Sequence, residues 1–472
     1  MFKEFLLLLF QVLFILNVIF AIIVILFERK TPSTTWAWIM IILFIPFFGF
    51  FIYLVFGLDG KKYKDFVKKS IHDKEILQKY SKISDISIST ATDLQDIAHL
   101  NFVSAYSQLT TDNEILIYHE GQDKFDDLIK DINNAKNYIH IQYYILRNDE
   151  LGRRIINVLA NKASENIEVK LLLDGVSSTF TSKKVFKPLI SAGGKVEMFL
   201  PPHFVKINFR NHRKLCIIDG NIGYIGGFNI GNEYLGKIKK FGHWRDCHIR
   251  INGSAVKDLE LRFIMDWNYS SHKLKIDVND FYFPKIDGNL SSSMQIVSSG
   301  PDTKWPSIQY AYIKMISQAN KYIYIQTPYF IPDDSIFEML RIASLSGVDV
   351  RIMIPAYPDH PFVYWAALSY LGDLIQAGVK CYKYEKGFVH SKLVIVDGKT
   401  ASVGTANIDI RSLKLNFEIN AFMYDKKTVT ILENQFMSDI LDSSIMDYDW
   451  YKGLSTMSKV KESLCRLISP LL

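Results

Sequence analysis

An α/β fold of two similar halves, preceded by a membrane-inserted helical hairpin, is what this chain predicts. Three features carry that expectation: two long apolar runs at the N-terminus, one order of sequence features that occurs twice, and short β-branched runs alternating with longer helical stretches inside each copy. At 472 residues the chain exceeds one typical core, so at least two packed units of roughly 150 to 200 residues are expected.

From Phe5 to Phe27 every residue is apolar except Gln11 and Asn17, enough for a helix to cross roughly 30 Å of hydrocarbon. A secretory signal would be about half as long and would end in small residues, whereas Glu28-Arg29-Lys30 follows here. A second run, residues 36–58, has Trp36 and Trp38 at one edge and Tyr53 near the other, so residues 1–60 read as a two-span hairpin turning at Thr31-Pro32-Ser33. Lys61, Lys62, Lys64, Lys68 and Lys69 outweigh the charge of that turn, and the positive-inside rule places the rest of the chain in the cytoplasm. Residues 61–110 are charged and weakly periodic, which reads as a basic amphipathic connector at the membrane surface rather than a core element.

The first half, 111–275, contains Ala135-Lys136-Asn137-Tyr138-Ile139-His140-Ile141-Gln142, then Val169 to Asp174, then Asn211 to Gly220. In the second half, 290–472, the same order returns as Ala319 to Gln326, Val350 to Pro355 and Val389 to Gly398. Helical stretches such as Asp123 to Asn133 and Ser335 to Ser344 separate the strand-like runs. Duplicated halves place equivalent residues face to face around a local two-fold axis, as symmetric dimers do, so one shared site is expected.

Each copy holds a His-x-Lys pair, His212 with Lys214 and His390 with Lys392, in segments 207–234 and 385–412. Residues two apart on a strand point to one face. Asp219 and Asp397 follow at the same offset, and then Gly226-Gly227-Phe228-Asn229 and Gly404-Thr405-Ala406-Asn407, where glycine admits backbone N–H groups to an anion and asparagine adds a donor. Two imidazoles, two ammonium groups and two amides form a cup for one phosphate. One imidazole can attack phosphorus while the other protonates the leaving oxygen. A zinc site would need three or four converging ligands without adjacent lysines, so no metal and no cofactor are expected. Cys216, Cys247, Cys381 and Cys465 lie far apart with no CxxC pair and read as reduced cytoplasmic thiols. The net charge of +6 suits an anionic partner without choosing between lipid and nucleic acid.

The pattern His-x-Lys, four residues, Asp, six residues, Gly-(Gly or Thr)-x-Asn is similar to the HKD motif of the phospholipase D superfamily. With the apolar hairpin, Gly300-Pro301-Asp302, Thr327-Pro328-Tyr329-Phe330-Ile331-Pro332 and the ending Leu467-Ile468-Ser469-Pro470-Leu471-Leu472, the chain resembles the bacterial cardiolipin synthases over nearly its full length. The resemblance implies two phospholipase D-like halves and a phosphatidyltransferase that condenses two phosphatidylglycerol molecules into cardiolipin and glycerol, through a phosphohistidine and without a metal. It also implies His212, Lys214, Asp219, His390, Lys392 and Asp397 as the catalytic set, and Asn229 and Asn407 as substrate contacts. Downstream carboxylates orient the histidines in that superfamily; Asp246 and Glu418 are the candidates, each in the half of the histidine it follows, though their offsets differ.

The expected partners are phosphatidylglycerol and anionic membrane lipid, with oligomeric state left open. A nuclease or hydrolase of the same fold is the alternative, but no basic aromatic stripe stands out and the spans hold the site near lipid. A dead scaffold would have lost a histidine or lysine of the motif. Arg210 and Arg213 beside His212 are expected to keep that imidazole neutral for attack, leaving His390, with Glu385 upstream, as the general acid.

Overall fold

The computed structural model describes residues 2–27, 32–45, 48–53, 57, 64–83, 95–179, 181–200, 208–271, 273–286 and 290–469. In the first half the strands are β1 (Thr110–Tyr118), β2 (Tyr138–Tyr143), β3 (Glu168–Asp174), β4 (Lys195–Phe199), β5 (Leu215–Ile218), β6 (Ile222–Gly226), β7 (His243–Arg245) and β8 (His248–Gly253). The second half adds β9 (Ser292–Ser299), β10 (Tyr322–Gln326), β11 (Phe330–Ile331), β12 (Asp349–Pro355), β13 (Lys380–Tyr384) and β14 (Gly387–Val389). It continues with β15 (Leu393–Val396), β16 (Thr400–Gly404), β17 (Ile408–Asp409), β18 (Glu418–Met423) and β19 (Ser443–Met446).

Fifteen of these strands form one sheet in the order β19-β13-β12-β10-β15-β16-β18-β9-β1-β8-β6-β5-β2-β3-β4. The order reads alike outward from its centre. β1-β8-β6-β5-β2-β3-β4 on one side matches β9-β18-β16-β15-β10-β12-β13 on the other, and the halves join where β1 pairs antiparallel with β9. The inner strands β2 and β10 are parallel to β3 and β12, and their runs Tyr138-Ile139-His140-Ile141-Gln142-Tyr143 and Tyr322-Ile323-Tyr324-Ile325-Gln326 are almost wholly buried, as strands covered by helices on both faces must be. Asp149 and Asp333 start two of the covering helices by accepting hydrogen bonds from Gly152 N and Ile336 N.

At the N-terminus, helix Phe2–Phe27 is about 39 Å long at roughly 1.5 Å per residue and contains a stretch apolar and long enough to cross a membrane, Phe2–Ile22. Among the described residues the second apolar run is helical over Pro32–Phe44 and Phe48–Ile52. Gly49 N donates to Ile45 O at 2.7 Å, so helical hydrogen bonding links the two pieces. These pieces pack back on the first helix, with Phe20 edge-on to Phe50 and Tyr53 at 4.6 and 5.4 Å. Glu28 to Thr31, Leu58 to Lys62 and Pro470 to Leu472 lie outside the described residues.

Helix Lys64–Tyr80 of the connector is a core element, contrary to expectation. It buries Phe66, Lys69, Asp73, Ile76 and Tyr80, a stripe of alternating three- and four-residue steps whose middle members are charged, which is why its periodicity is hard to see. Phe66 meets Phe209 and Phe417 edge-on at 5.3 and 5.5 Å, touching both halves. Lys69 Nζ lies 2.7, 3.2 and 2.8 Å from Asp73, Asp266 and Asp302. Burial by itself would lower this ammonium, but Asp302, Asp73 and Asp266 outweigh it and hold it above its ordinary value. Asp266 also binds Arg213, the residue between His212 and Lys214.

Lys69→Met is therefore expected to destabilise the fold by about 3–5 kcal/mol, because it strands buried carboxylates without their cation. Thermal unfolding of purified protein checks this, and a Tm within a degree or two of wild type would contradict the network's structural role.

Candidate active site

Two parallel bridges bring the motifs together. His212 N donates to Phe417 O at 2.9 Å and Phe417 N to Arg210 O at 2.9 Å, while β14 pairs with β7 and His390 N donates to Arg245 O at 2.7 Å. Each histidine thereby arrives beside the other half's chain. His212 Nδ1 stands 3.0 Å from both oxygens of Glu418, and His390 Nδ1 stands 2.7 Å from Asp246. Both expected carboxylates are at the site, but the pairing is exchanged: Asp246 serves the second half's histidine and Glu418 the first's. The unequal offsets in sequence have no structural meaning, because neither carboxylate acts on the histidine it follows.

The rest of each motif is arranged symmetrically. Lys214 Nζ donates to His212 O at 2.8 Å and Lys392 Nζ to His390 O at 2.5 Å, so each lysine is folded beneath its own histidine. His212, His390, Asn229 and Asn407 line one cavity of about 570 Å³. Asn229 Oδ1 accepts from Ile145 N at 3.2 Å and its amide donates to Tyr234 at 3.0 Å, which fixes the side chain at the wall.

Gly227 and Thr405 differ for a steric reason. A Cβ at 227 would meet Asp246 Oδ1 at 1.9 Å, so only glycine admits that carboxylate. Thr405 instead donates its hydroxyl to Glu418 Oε2 at 2.6 Å and faces the carboxylate rather than a phosphate.

Asp219 and Asp397 are not in the cavity. Asp219 accepts from the amides of Lys136, Asn137 and Tyr138 at 2.7 to 2.9 Å, and Asp397 from those of Asn320, Lys321 and Tyr322 at 2.8 to 2.9 Å. Each sits at positive φ, 51° and 54°, in the turn between β5 and β6 or β15 and β16, the far end of the motif strand from the histidine. They tie that hairpin to the start of β2 or β10. Their place in the motif is explained by the hairpin's geometry rather than by contact with a reacting group.

Burial pushes both imidazoles down to about 4; Glu418 opposes it and Lys214 reinforces it at His212, while Lys392 reinforces it and Asp246 opposes it at His390. The expected influence of Arg210 and Arg213 is absent. Arg210 is held by Asp174 at 2.8 Å and Arg213 by Asp266, so the arginines do not separate the two histidines. Burial also lowers Lys214 to about 7 and Lys392 to about 8, against the pull of Glu418 at the first and of Asp246 at the second.

Sequence reasoning missed several cavity residues. Tyr144 lies edge-on to His212 at 4.8 Å and Trp244 sits 5.1 Å from His390. Tyr329 donates to Asp359 at 2.5 Å, and Arg411 also lines the wall. Tyr329 had a signal in the segment Thr327 to Pro332, and Trp244 only in standing two residues before Asp246.

An alkaline limb in kcat/KM is expected as pH rises through about 7 to 8, where the two depressed lysines lose the charge they carry at lower pH. A pH profile on lipid substrate tests this; a limb near the ordinary lysine value of about 10.4 would contradict it.

Comparison with known families fits this geometry. The family model "Cardiolipin synthase, PLD-like domain" matches residues 128–267 and 312–440, and "Phospholipase D-nuclease N-terminal" matches residues 15–57. The chain is 49% identical to the cardiolipin synthase of Listeria innocua over 98% of both chains. It is 47% identical to that of Staphylococcus aureus over 97% of this chain and 95% of the other. A solved phosphatidylserine synthase of Haemophilus influenzae shares the fold with a TM-score of 0.60 at 16% identity, covering 76% of this chain and 95% of the other. The chain belongs to the cardiolipin synthase family of the phospholipase D superfamily, a family of phosphatidyltransferases.

Proposed function

We propose that the protein transfers a phosphatidyl group from one phosphatidylglycerol to a second, giving cardiolipin and glycerol. The observation that carries the reading is the pair of imidazoles in one cavity, each bonded at Nδ1 to a buried carboxylate, which leaves Nε2 as the nitrogen available to phosphorus. Product analysis decides it: purified enzyme with labelled phosphatidylglycerol should yield cardiolipin and glycerol, and EDTA should not abolish the reaction because lysines already supply the charge. Phosphatidic acid as the sole product would mean a hydrolase.

In the first step Nε2 of His212 forms a bond to phosphorus as the bond to the glycerol oxygen breaks, and His390 gives its proton to that oxygen. In the second, a headgroup hydroxyl of the acceptor forms a new P–O bond, its proton passes to His390, and the P–N bond breaks. Neutral imidazole is the form that attacks, and both rings are neutral near pH 7. Entry of a phosphate anion favours the protonated form of the general acid. What supports giving that part to His390 is its shorter carboxylate contact, 2.7 Å against 3.0 Å, and the sharing of Glu418's charge with Thr405 and Asn416. Asn229 and Asn407 would face the phosphate. A substrate with an activated leaving group should leave an adduct in His390→Ala but not in His212→Ala; an adduct mapped to His390 would reverse the roles.

The chain is a membrane protein, and we infer a multi-pass anchor with the catalytic body in the cytoplasm. Lys64 and Lys68, exposed beyond the apolar segment, support this orientation, whereas buried Lys69 does not count toward it. The four native cysteines are buried, so an introduced Lys195→Cys should report cleanly. An impermeant thiol reagent on intact cells should leave it unlabelled; labelling would invert the topology.

A further inference from the structure

We propose that Arg411 forms a second anion subsite that holds the phosphodiester of the acceptor lipid while its headgroup hydroxyl attacks. The inference rests on the reaction proposed above and names the feature that selects its acceptor. Cardiolipin contains two phosphodiesters joined by one glycerol. When the acceptor hydroxyl reaches the phosphohistidine, its own phosphate therefore stands one glycerol bridge away, and the two motif histidines of the cavity are already taken up by the first phosphate. A second anion taken from water needs a second cation.

The pseudo-two-fold arrangement shows where that cation is, because symmetry is broken there. After the motif asparagines the halves run Asn229-Ile230-Gly231-Asn232-Glu233 and Asn407-Ile408-Asp409-Ile410-Arg411, so Glu233 and Arg411 are equivalent positions of opposite charge in the lining of one cavity. Glu233 is neutralised by Arg147, 2.9 Å away. Arg411 donates instead to Asn208, to Oδ1 at 2.7 Å and to the backbone oxygen at 2.8 Å, bonds that aim the guanidinium without cancelling its charge. Among the described residues no carboxylate lies within ion-pair reach of it. Asp409, on the same short segment, accepts from Ser412 N at 2.6 Å and is pushed up by burial. Burial pulls Arg411 below its ordinary value, against the opposing influence of Tyr144 and of the Asp409 and Asp174 carboxylates. Arg210, paired with Asp174, lies 5.1 Å over the Tyr144 ring, next to His212, so this wall of the cavity adjoins the first motif.

The test compares two acceptors in one assay, with full-length enzyme in mixed micelles of phosphatidylglycerol and detergent plus radiolabelled glycerol. Label entering phosphatidylglycerol reports transfer to a neutral acceptor; cardiolipin reports transfer to an acceptor that carries a phosphate. In Arg411→Gln the ratio of cardiolipin synthesis to glycerol exchange should fall at least about tenfold, the scale of losing a hydrogen bond to a charged group. Arg411→Lys, which keeps the charge but loses the fork to Asn208, should retain most of the wild-type ratio. An unchanged ratio in Arg411→Gln, or an equal fall in both variants, overturns the subsite. Glycerol exchange by wild type without any cardiolipin would instead overturn the proposed reaction, and the acceptor subsite with it.

Discussion

Each imidazole of the site takes its orienting hydrogen bond from the opposite half of the molecule, and much of the architecture is arranged to make that exchange possible. Asn211 and His212 run alongside Phe417, and Val389 and His390 alongside Arg245, so the backbone itself sets the distance between each ring and its carboxylate. Glu418 and Asp246 are fully buried, and leaving a buried carboxylate without its hydrogen-bonding partner costs at least about 1–3 kcal/mol. The two halves are thus held in register by the groups that make the site, and neither half contains a complete one.

A second layer of charge surrounds this centre. Arg213 stands between the first motif's histidine and lysine, but its side chain turns inward to Asp266, and Asp266 in turn meets Lys69 of the helix that follows the membrane segment. Lys69 reaches Asp302 as well, at the start of the second half. One ammonium therefore connects the membrane-adjacent helix, the first motif and the second half. Such a network is tolerable only because each carboxylate has a cation and each cation more than one acceptor.

The duplicated halves remain similar where they build the sheet and differ where they meet substrate. The aspartates of the motif turns perform the same service in both, gathering backbone amides at the start of β2 and β10. Departures from symmetry are correlated: Gly227 accompanies the shorter Asp246, and Thr405 accompanies the longer Glu418 and bonds to it. A site that treats a donor and an acceptor differently needs such differences, and strict two-fold symmetry would give both the same environment.

The sequence by itself determined what is local or periodic. The apolar run of the first helix, the repeated strand order, the His-x-Lys pairs and the paired asparagines are all properties of adjacent residues, and the equivalence of the halves follows from them. Only the tertiary structure decided which groups meet across that equivalence. Asp246 and Glu418 could be named from the chain, but their exchange between halves brings together residues 144 and 206 positions apart. Asp219 and Asp397 looked like members of a reacting set because they share its motif, whereas the strand carries them to its far end and the turn claims their oxygens. The stripe Phe66, Lys69, Asp73, Ile76 and Tyr80 was illegible because charge in a core position makes sense only when the compensating Asp266 and Asp302 are seen beside it. Sequence records which charges a chain carries; burial and the distance between them, which fix what those charges do, belong to the folded molecule.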